Sequence, residues 1–279
     1  MRPEFFRALP HFTSLKSLHL SFCKLNSLCQ LGRIICAFPQ LKHLSLEGWI
    51  IADQGSSNHT GVIHLQSWTN IRLQLLQITL DTSHEAEEYK TIIEWIVRSG
   101  ICNSLEHLMV WAAGSRRLPL TLLLEAAGPS LIHYFEDKFP SRCHGTLIPS
   151  TALRFLDFSL HGGVIQGTGK SVDSWLRSRL ARELRSVFST VRSHQLEQVS
   201  IKTELPFYGS AHMGPQPQDV AGDPDLRDLH GTMGQPYFDM LKGVKVSVRV
   251  LYAWHEGRKL EVDEFDGKVS VPLPPRTCL

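Results

Sequence analysis

The glycine-rich segment 162–171 is the part of the sequence that comes closest to a reactive motif. It begins with Gly162, ends with Lys170 and Ser171, and lies between a predicted strand and a predicted helix. In that context backbone amides can hold a phosphate. The phosphate-binding pattern G-x-x-x-x-G-K-S requires glycine at position 164, where this chain has valine. We therefore interpret the segment as a loop between repeats and keep a nucleotide-binding enzyme as the alternative.

The spacing of cysteine and histidine indicates buried thiols rather than a metal site. The four candidates are Cys23, Cys29, Cys36 and His43. They are separated by 6, 7 and 7 residues, whereas zinc ligands usually occur in pairs about two to four residues apart. The sequence contains no G-x-S-x-G motif, and no isolated pair of carboxylates indicates hydrolytic chemistry. We therefore predict a non-enzymatic protein without catalytic residues, metal ligands or a cofactor.

A predicted helix over residues 172–192 carries five arginines, which could contact phosphates. Asp173 and Glu183 lie on the same helix, and the net charge of the chain is only +2. We interpret it as a solvated outer helix and expect no nucleic-acid partner. The longest apolar runs fall short of the roughly 18 residues of a spanning helix, so we expect no membrane partner. Because no signal-peptide pattern is present, we expect a cytoplasmic or nuclear location.

The elements that hold these residues repeat along the chain. The phrase L-x-x-L-x-L, with some substitutions by other apolar residues, occurs in seven copies at spacings of 22 to 43 residues, with helical patterns between them. Such periods are typical of solenoids, in which each repeat buries its apolar face against the next. The copies begin at Leu15, Leu41, Leu73, Leu105, Leu131, Leu153 and Leu196. The fifth copy is weaker because Glu136 breaks its apolar pattern. We predict an irregular α/β leucine-rich-repeat solenoid over residues 1–205.

The character of the sequence changes after residue 205. Residues 206–243 are rich in glycine, proline and aspartate, which predicts an irregular loop or linker. Residues 244–254 alternate apolar and polar side chains, which predicts a strand. A return segment and a turn at Asp266 and Gly267 would complete a small β-meander. We therefore predict a C-terminal β-meander over residues 244–279 that caps the exposed edge of the last repeat.

Alternation along the strands predicts which side chains face outward. The leucines of each copy point into the core, so the residues between them point to the opposite, concave side. Three neighbouring strands place aromatic and methionine side chains there, and such side chains are common interface anchors. The predicted protein-binding residues are His107, Met109, Trp111, His133, Phe135, Phe155 and Asp157. The alternative is that an insertion or the C-terminal loop covers them as ordinary core.

Four phrases carry a resemblance to a known family: FPQLKHLSL (38–46), IEWIVRSG (93–100), SLEHL (104–108) and LLEAAGPSL (123–131). With them, residues 1–205 resemble the leucine-rich-repeat region of fungal F-box proteins. The resemblance implies that the repeats bind protein substrates, while an N-terminal F-box docks the adaptor of a cullin-RING ubiquitin ligase. We find no F-box helices before the first repeat, so an adaptor partner is expected only if an F-box lies upstream. A structural repeat fragment without a partner is the remaining alternative.

Overall fold

One sheet organises the part of the chain that the structure describes. The computed structural model describes residues 8–48, 50, 71–80, 85–112, 119–139, 146–161, 165–166, 181–209, 233–254 and 264–271. The strands are β1 (Ser17–Ser21), β2 (His43–Glu47), β3 (Leu75–Leu80), β4 (His107–Ala112), β5 (His133–Phe139), β6 (Phe155–His161), β7 (Ile165–Gln166), β8 (Gln198–Gly209), β9 (Gly243–Trp254) and β10 (Glu264–Val271). Eight of these run parallel in the order β1–β2–β3–β4–β5–β6–β8–β9. The short β7 pairs with the far end of β8, and β10 pairs antiparallel with β9.

The inward face of this sheet is built from stacked apolar side chains. Strands β2, β3 and β4 stay in register, so that Leu44, Leu76 and Leu108 lie side by side. All three are fully buried. Burial of one such side chain contributes roughly 1.5–3 kcal/mol, and the stacking therefore joins each repeat to the next.

A ladder of backbone hydrogen bonds begins one residue before each strand. The carbonyl of Lys16 accepts hydrogen bonds from the amides of Lys42 and His43, at 2.8 and 2.9 Å. The arrangement recurs at each step of the parallel sheet, as far as the amide of Lys242, 2.8 Å from the carbonyl of Glu197. Repeats of very different length share one register because the extra residues lie in the connections between strands.

Helices connect several of the parallel strands, and each buries one face. They are α1 (Leu28–Cys36), α2 (Glu85–Ser99), α3 (Leu120–Ala127) and α4 (Ala181–Phe188). In α2 the buried residues Tyr89, Ile92 and Ile96 follow the three- and four-residue spacing of an amphipathic helix. Such crossovers are needed because each parallel strand must start again at the same end of the sheet.

Close packing requires glycine at two positions. A Cβ atom on Gly128 would lie 2.5 Å from the Cβ of Pro149 and 2.6 Å from its carbonyl oxygen. Gly48 has a φ of +65°, and a Cβ there would lie 2.4 Å from the ring of Phe22. The hydroxyl of Tyr89 donates a 2.8 Å hydrogen bond to the carbonyl of Gly48, which ties α2 to the end of β2.

The predicted alternation of parallel strands and helices is confirmed, and the parallel sheet is consistent with leucine-rich-like repeats. Glu136, which breaks the apolar pattern of the fifth copy, lies in the inward row and is 1% exposed. Its carboxylate accepts a 2.6 Å hydrogen bond from the hydroxyl of Tyr134. Burial, and then the neighbouring carboxylate, raise the pKa of Tyr134 well above its usual value. The carboxylate fits the core because a buried donor satisfies it.

The predicted C-terminal β-meander is wrong, because its first strand belongs to the parallel sheet. That strand forms as β9, but it lies parallel to β8 as the eighth parallel strand. Leu241, Val244 and Val246 are buried in the inward row and form a further copy of the repeat, 45 residues after Leu196. An apolar alternation alone is compatible with either type of neighbour. Here β9 pairs with the open edge of β8, and the two strands run parallel.

The turn predicted at Asp266 and Gly267 is also wrong. Both residues lie within β10, where they pair with Arg249 and Val248 of β9. The remainder of the predicted meander, residues 255–263 and 272–279, lies outside the described residues.

Two further sequence predictions fall largely outside the described part of the chain. Of the glycine-rich segment 162–171 the structure describes residues 165–166, which form β7. Of the helix predicted over 172–192 it describes 181–192, where α4 ends at Phe188. The nucleotide-binding alternative therefore stays a prediction.

Candidate functional site

The outward side chains of β4, β5 and β6 form a continuous surface, which we call the central face. Its members are His107, Met109, Trp111, His133, Phe135, Asp137, Phe155 and Asp157. They come together because the strands are parallel and about 4.8 Å apart, with β5 and β6 in register as far as Glu136. Asp137, which follows this point, is placed by its pairing with Trp111 of β4. All seven residues predicted from the sequence as partner-binding lie on this surface.

Two aromatic rings pack in the middle of the central face. The ring centroids of Trp111 and Phe135 are 4.7 Å apart, with a tilt of 41°. Phe135 is only 8% exposed, whereas Trp111 is half-buried. Phe135 therefore has little accessible area, and Trp111 provides the ring area that a ligand can reach.

A cation lies over the Phe135 ring of this aromatic pair. The Nζ atom of Lys202, an exposed residue of β8, is 5.5 Å from the centroid of the Phe135 ring. An ammonium group at this distance is attracted by the negative face of the ring. The surface thus already holds one cation of the protein itself.

A histidine and a carboxylate form the polar part of the central face. The Nε2 atom of His133 is 2.9 Å from Oδ2 of Asp157. An ionised carboxylate can only accept a hydrogen bond, so His133 carries a proton on Nε2. The ring of His133 also makes edge-to-face contacts with the rings of His107 and Phe155, at 5.8 and 6.0 Å. These contacts fix the orientation of the His133 ring.

The electrostatic environment keeps a second histidine uncharged. Burial lowers the pKa of His107, and the neighbouring His133 lowers it further, while Glu106 acts in the opposite direction. Since the ordinary pKa of a histidine is about 6.5, His107 is neutral at pH 7. His107 therefore adds no positive charge to the central face at pH 7.

A histidine–aspartate pair can also activate a nucleophilic side chain that lies beside the histidine, as in a Ser-His-Asp triad. The register neighbours of His133 are His107 and Phe155, which provide neither a hydroxyl nor a thiol. Within the described ranges, no group of three or more histidine, cysteine or acidic side chains is placed to hold a metal ion.

Two residues that shape the site were not in the predicted set, namely Asp137 and Lys202. Both occupy outward positions of the same strand alternation, so their direction is readable from the sequence. Register places Asp137 beside Trp111, and the position of Lys202 over Phe135 depends on the packing of β8. These are contacts between residues far apart in the chain.

Comparisons with known proteins give no family for this chain. A scan against protein-family models finds no match, and a search of curated proteins finds no similar protein. In the ranges that the structure covers, every helix is too short or too polar to cross a membrane.

Proposed function

We propose that the chain is a protein-recognition module that binds its partner through the central face. The observation that carries this proposal is the grouping of Met109, Trp111 and Phe155 on three neighbouring strands, all half-buried rather than fully covered. Aromatic and methionine side chains surrounded by polar groups are typical of interface centres.

Strands β2 and β3 carry side chains of a different type from those of β4 at matching outward positions. Register places Ser45 of β2, Gln77 of β3 and Met109 of β4 side by side. The row thus changes from polar to apolar when it reaches β4. A rigid parallel sheet holds these side chains in place, which lowers the entropy lost on binding.

The resemblance of residues 1–205 to the repeats of fungal F-box proteins supports a more specific role. In that role the central face would bind the substrate of a ubiquitin ligase, and an F-box joined to the repeats would dock the ligase adaptor. The repeats themselves would carry out recognition without chemistry.

The test is partner capture with surface variants. Trp111→Ala should remove the captured partner, because it deletes the accessible ring while Phe135 remains in the sheet. Phe12→Ala is the matched control, since Phe12 is a 56% exposed aromatic residue outside the central face. Thermal unfolding of each variant is the check that the fold is retained. Equal capture by the wild type and Trp111→Ala would contradict the proposal.

A further inference from the structure

We propose that the central face takes an arginine side chain of its protein partner, held between the ring of Trp111 and the carboxylates of Asp137 and Asp157. This proposal rests on the proposed function and names the chemistry of the contact.

The geometry places two carboxylates around one aromatic pair. Asp157 is the register neighbour of Phe135 on β6, and Asp137 follows Phe135 on the same face of β5. Asp137 is also the register neighbour of Trp111. Phe135 therefore adjoins both acidic residues, Asp157 at the strand spacing of about 4.8 Å and Asp137 at the spacing of alternate residues, about 6.6 Å. The β5–β6 register shifts after Glu136, so Asp137 is placed by its pairing with β4, and one guanidinium can reach both carboxylates.

The charge of the central face favours a cation. Of its eight residues, Asp137 and Asp157 carry the fixed charges, and both are negative. In the part of the chain that the structure describes, no cationic group lies within ion-pair distance of Asp137. Asp157 is 28% exposed and is bound by His133 through Oδ2, so its other oxygen can accept a hydrogen bond.

Lys202 provides an independent observation that this surface attracts a cation. Its ammonium group lies over the ring of Phe135 although the side chain is exposed and water could solvate it fully. A partner cation would compete with it for the same negative region. Arginine suits the site better than lysine, because a planar guanidinium can stack on an indole ring and bind carboxylates in a bidentate manner.

The first experiment measures binding of a fluorescent peptide, Gly-Arg-Gly-Arg-Gly, by anisotropy at low salt. The control peptide contains citrulline, which keeps the shape of arginine and removes its charge. We expect the arginine peptide to bind at least about fivefold more tightly than the citrulline peptide, as for a cation facing exposed carboxylates and a ring. Equal binding of the two peptides would overturn the proposal.

Matched variants locate the binding site. Asp137→Asn with Asp157→Asn should weaken arginine-peptide binding by about fivefold, since asparagine keeps the shape and the hydrogen-bond acceptor. Glu47→Gln should leave binding unchanged, because Glu47 is an acidic residue of the same sheet face on β2, paired there with His19. Unchanged binding by the double variant, or an equal loss with Glu47→Gln, would contradict the site.

Removal of the competing Lys202 should change arginine-peptide binding in the opposite direction. Lys202→Met should strengthen binding of the arginine peptide by about two- to fivefold, because it removes the internal cation. Lys245→Met is the control, since Lys245 is also exposed and outward but lies on β9. Equal strengthening by both variants would indicate only a general change in net charge and would contradict the proposal.

The outcome can be separated from that of the proposed function. If the natural partner is lost with Trp111→Ala but kept with the double aspartate variant, the recognition module stands and the arginine contact is wrong. If Trp111→Ala retains the partner, the central face itself is not the recognition surface.

Discussion

The two faces of the sheet differ although their residues alternate along the same strands. The inward neighbours Leu44, Leu76 and Leu108 are all leucine and all fully buried. The outward neighbours Gln77 and Met109 are of different types and are only half-buried. Only the face that packs repeat against repeat must stay uniform. The other face can vary from strand to strand, and there β4, β5 and β6 differ from the strands before them.

Adjacent residues of β4 give the largest expected difference between the two faces. Leu108→Ala should lower the free energy of unfolding by about 2–5 kcal/mol, because it leaves a cavity in the core. Met109→Ala should lower it by less than about 1 kcal/mol, because the side chain is outward and half-buried. Denaturant unfolding of both variants measures the two costs. A similar cost for Met109→Ala would mean that the outward face is a second core, and would favour the covered-core alternative.

Alkaline pH should lower the stability of the folded chain through a buried thiol of the core. Burial raises the pKa of Cys102 from 9.0 to about 11. Between pH 9 and 11 the unfolded chain loses this proton while the folded chain keeps it, so stability falls as the pH rises. The loss should reach about 2–3 kcal/mol.

The measurement compares unfolding at pH 8 and pH 11 for the wild type and Cys102→Ala. The variant should lose less stability than the wild type over this interval, although Tyr134 contributes to the fall in both above pH 10. Cys29→Ala is the control, since Cys29 is exposed. Equal pH dependence of the wild type and Cys102→Ala would show that the thiol is not protected by the core.

The smallest effect is expected where the strands begin, at residues that lie on neither face of the sheet. Glu197 binds Lys242 at 2.5 Å and Arg154, and these contacts, led by Lys242, lower the pKa of Glu197. The stabilising contribution is present above the usual pKa of a glutamate and is lost as the pH falls through the lowered value. Glu197→Gln should reduce the melting temperature only slightly at pH 7, because both cations remain solvated.

The difference between the wild type and Glu197→Gln should become smaller as the pH falls through the lowered pKa of Glu197. Thermal unfolding at pH 7 and pH 3 provides this comparison. A destabilisation at pH 7 as large as that of Leu108→Ala would contradict this expectation. It would show that the ion pairs of Glu197, rather than the inward face, hold the repeats together.

Most strands could be predicted because their signal is local. Leu41, Leu44 and Leu46 show their common face through spacing alone, and the same holds for the other copies. The eighth copy at Leu241 and Val244 was missed, although it has the same template, because valine replaces leucine and a long segment rich in glycine, proline and aspartate precedes it. Its alternation was therefore assigned to a hairpin.

The contacts of the candidate site could be predicted only in part. Alternation marks Trp111, Phe135 and Asp157 as outward. It does not show that His133 binds Asp157, that Lys202 covers Phe135, or that Phe135 is nearly buried. Each of these depends on which residues of different strands become neighbours.

The sequence by itself determined where strands lie and which of their side chains face inward, because the alternation of a strand is written in consecutive residues. Only the tertiary structure decided that β9 extends the parallel sheet and that acidic and aromatic side chains meet on β4, β5 and β6. The physical reason is that pairing of the parallel strands joins residues 21 to 45 positions apart. The inward leucines set that register and the backbone hydrogen bonds hold it, without regard to the outward side chains that it brings together.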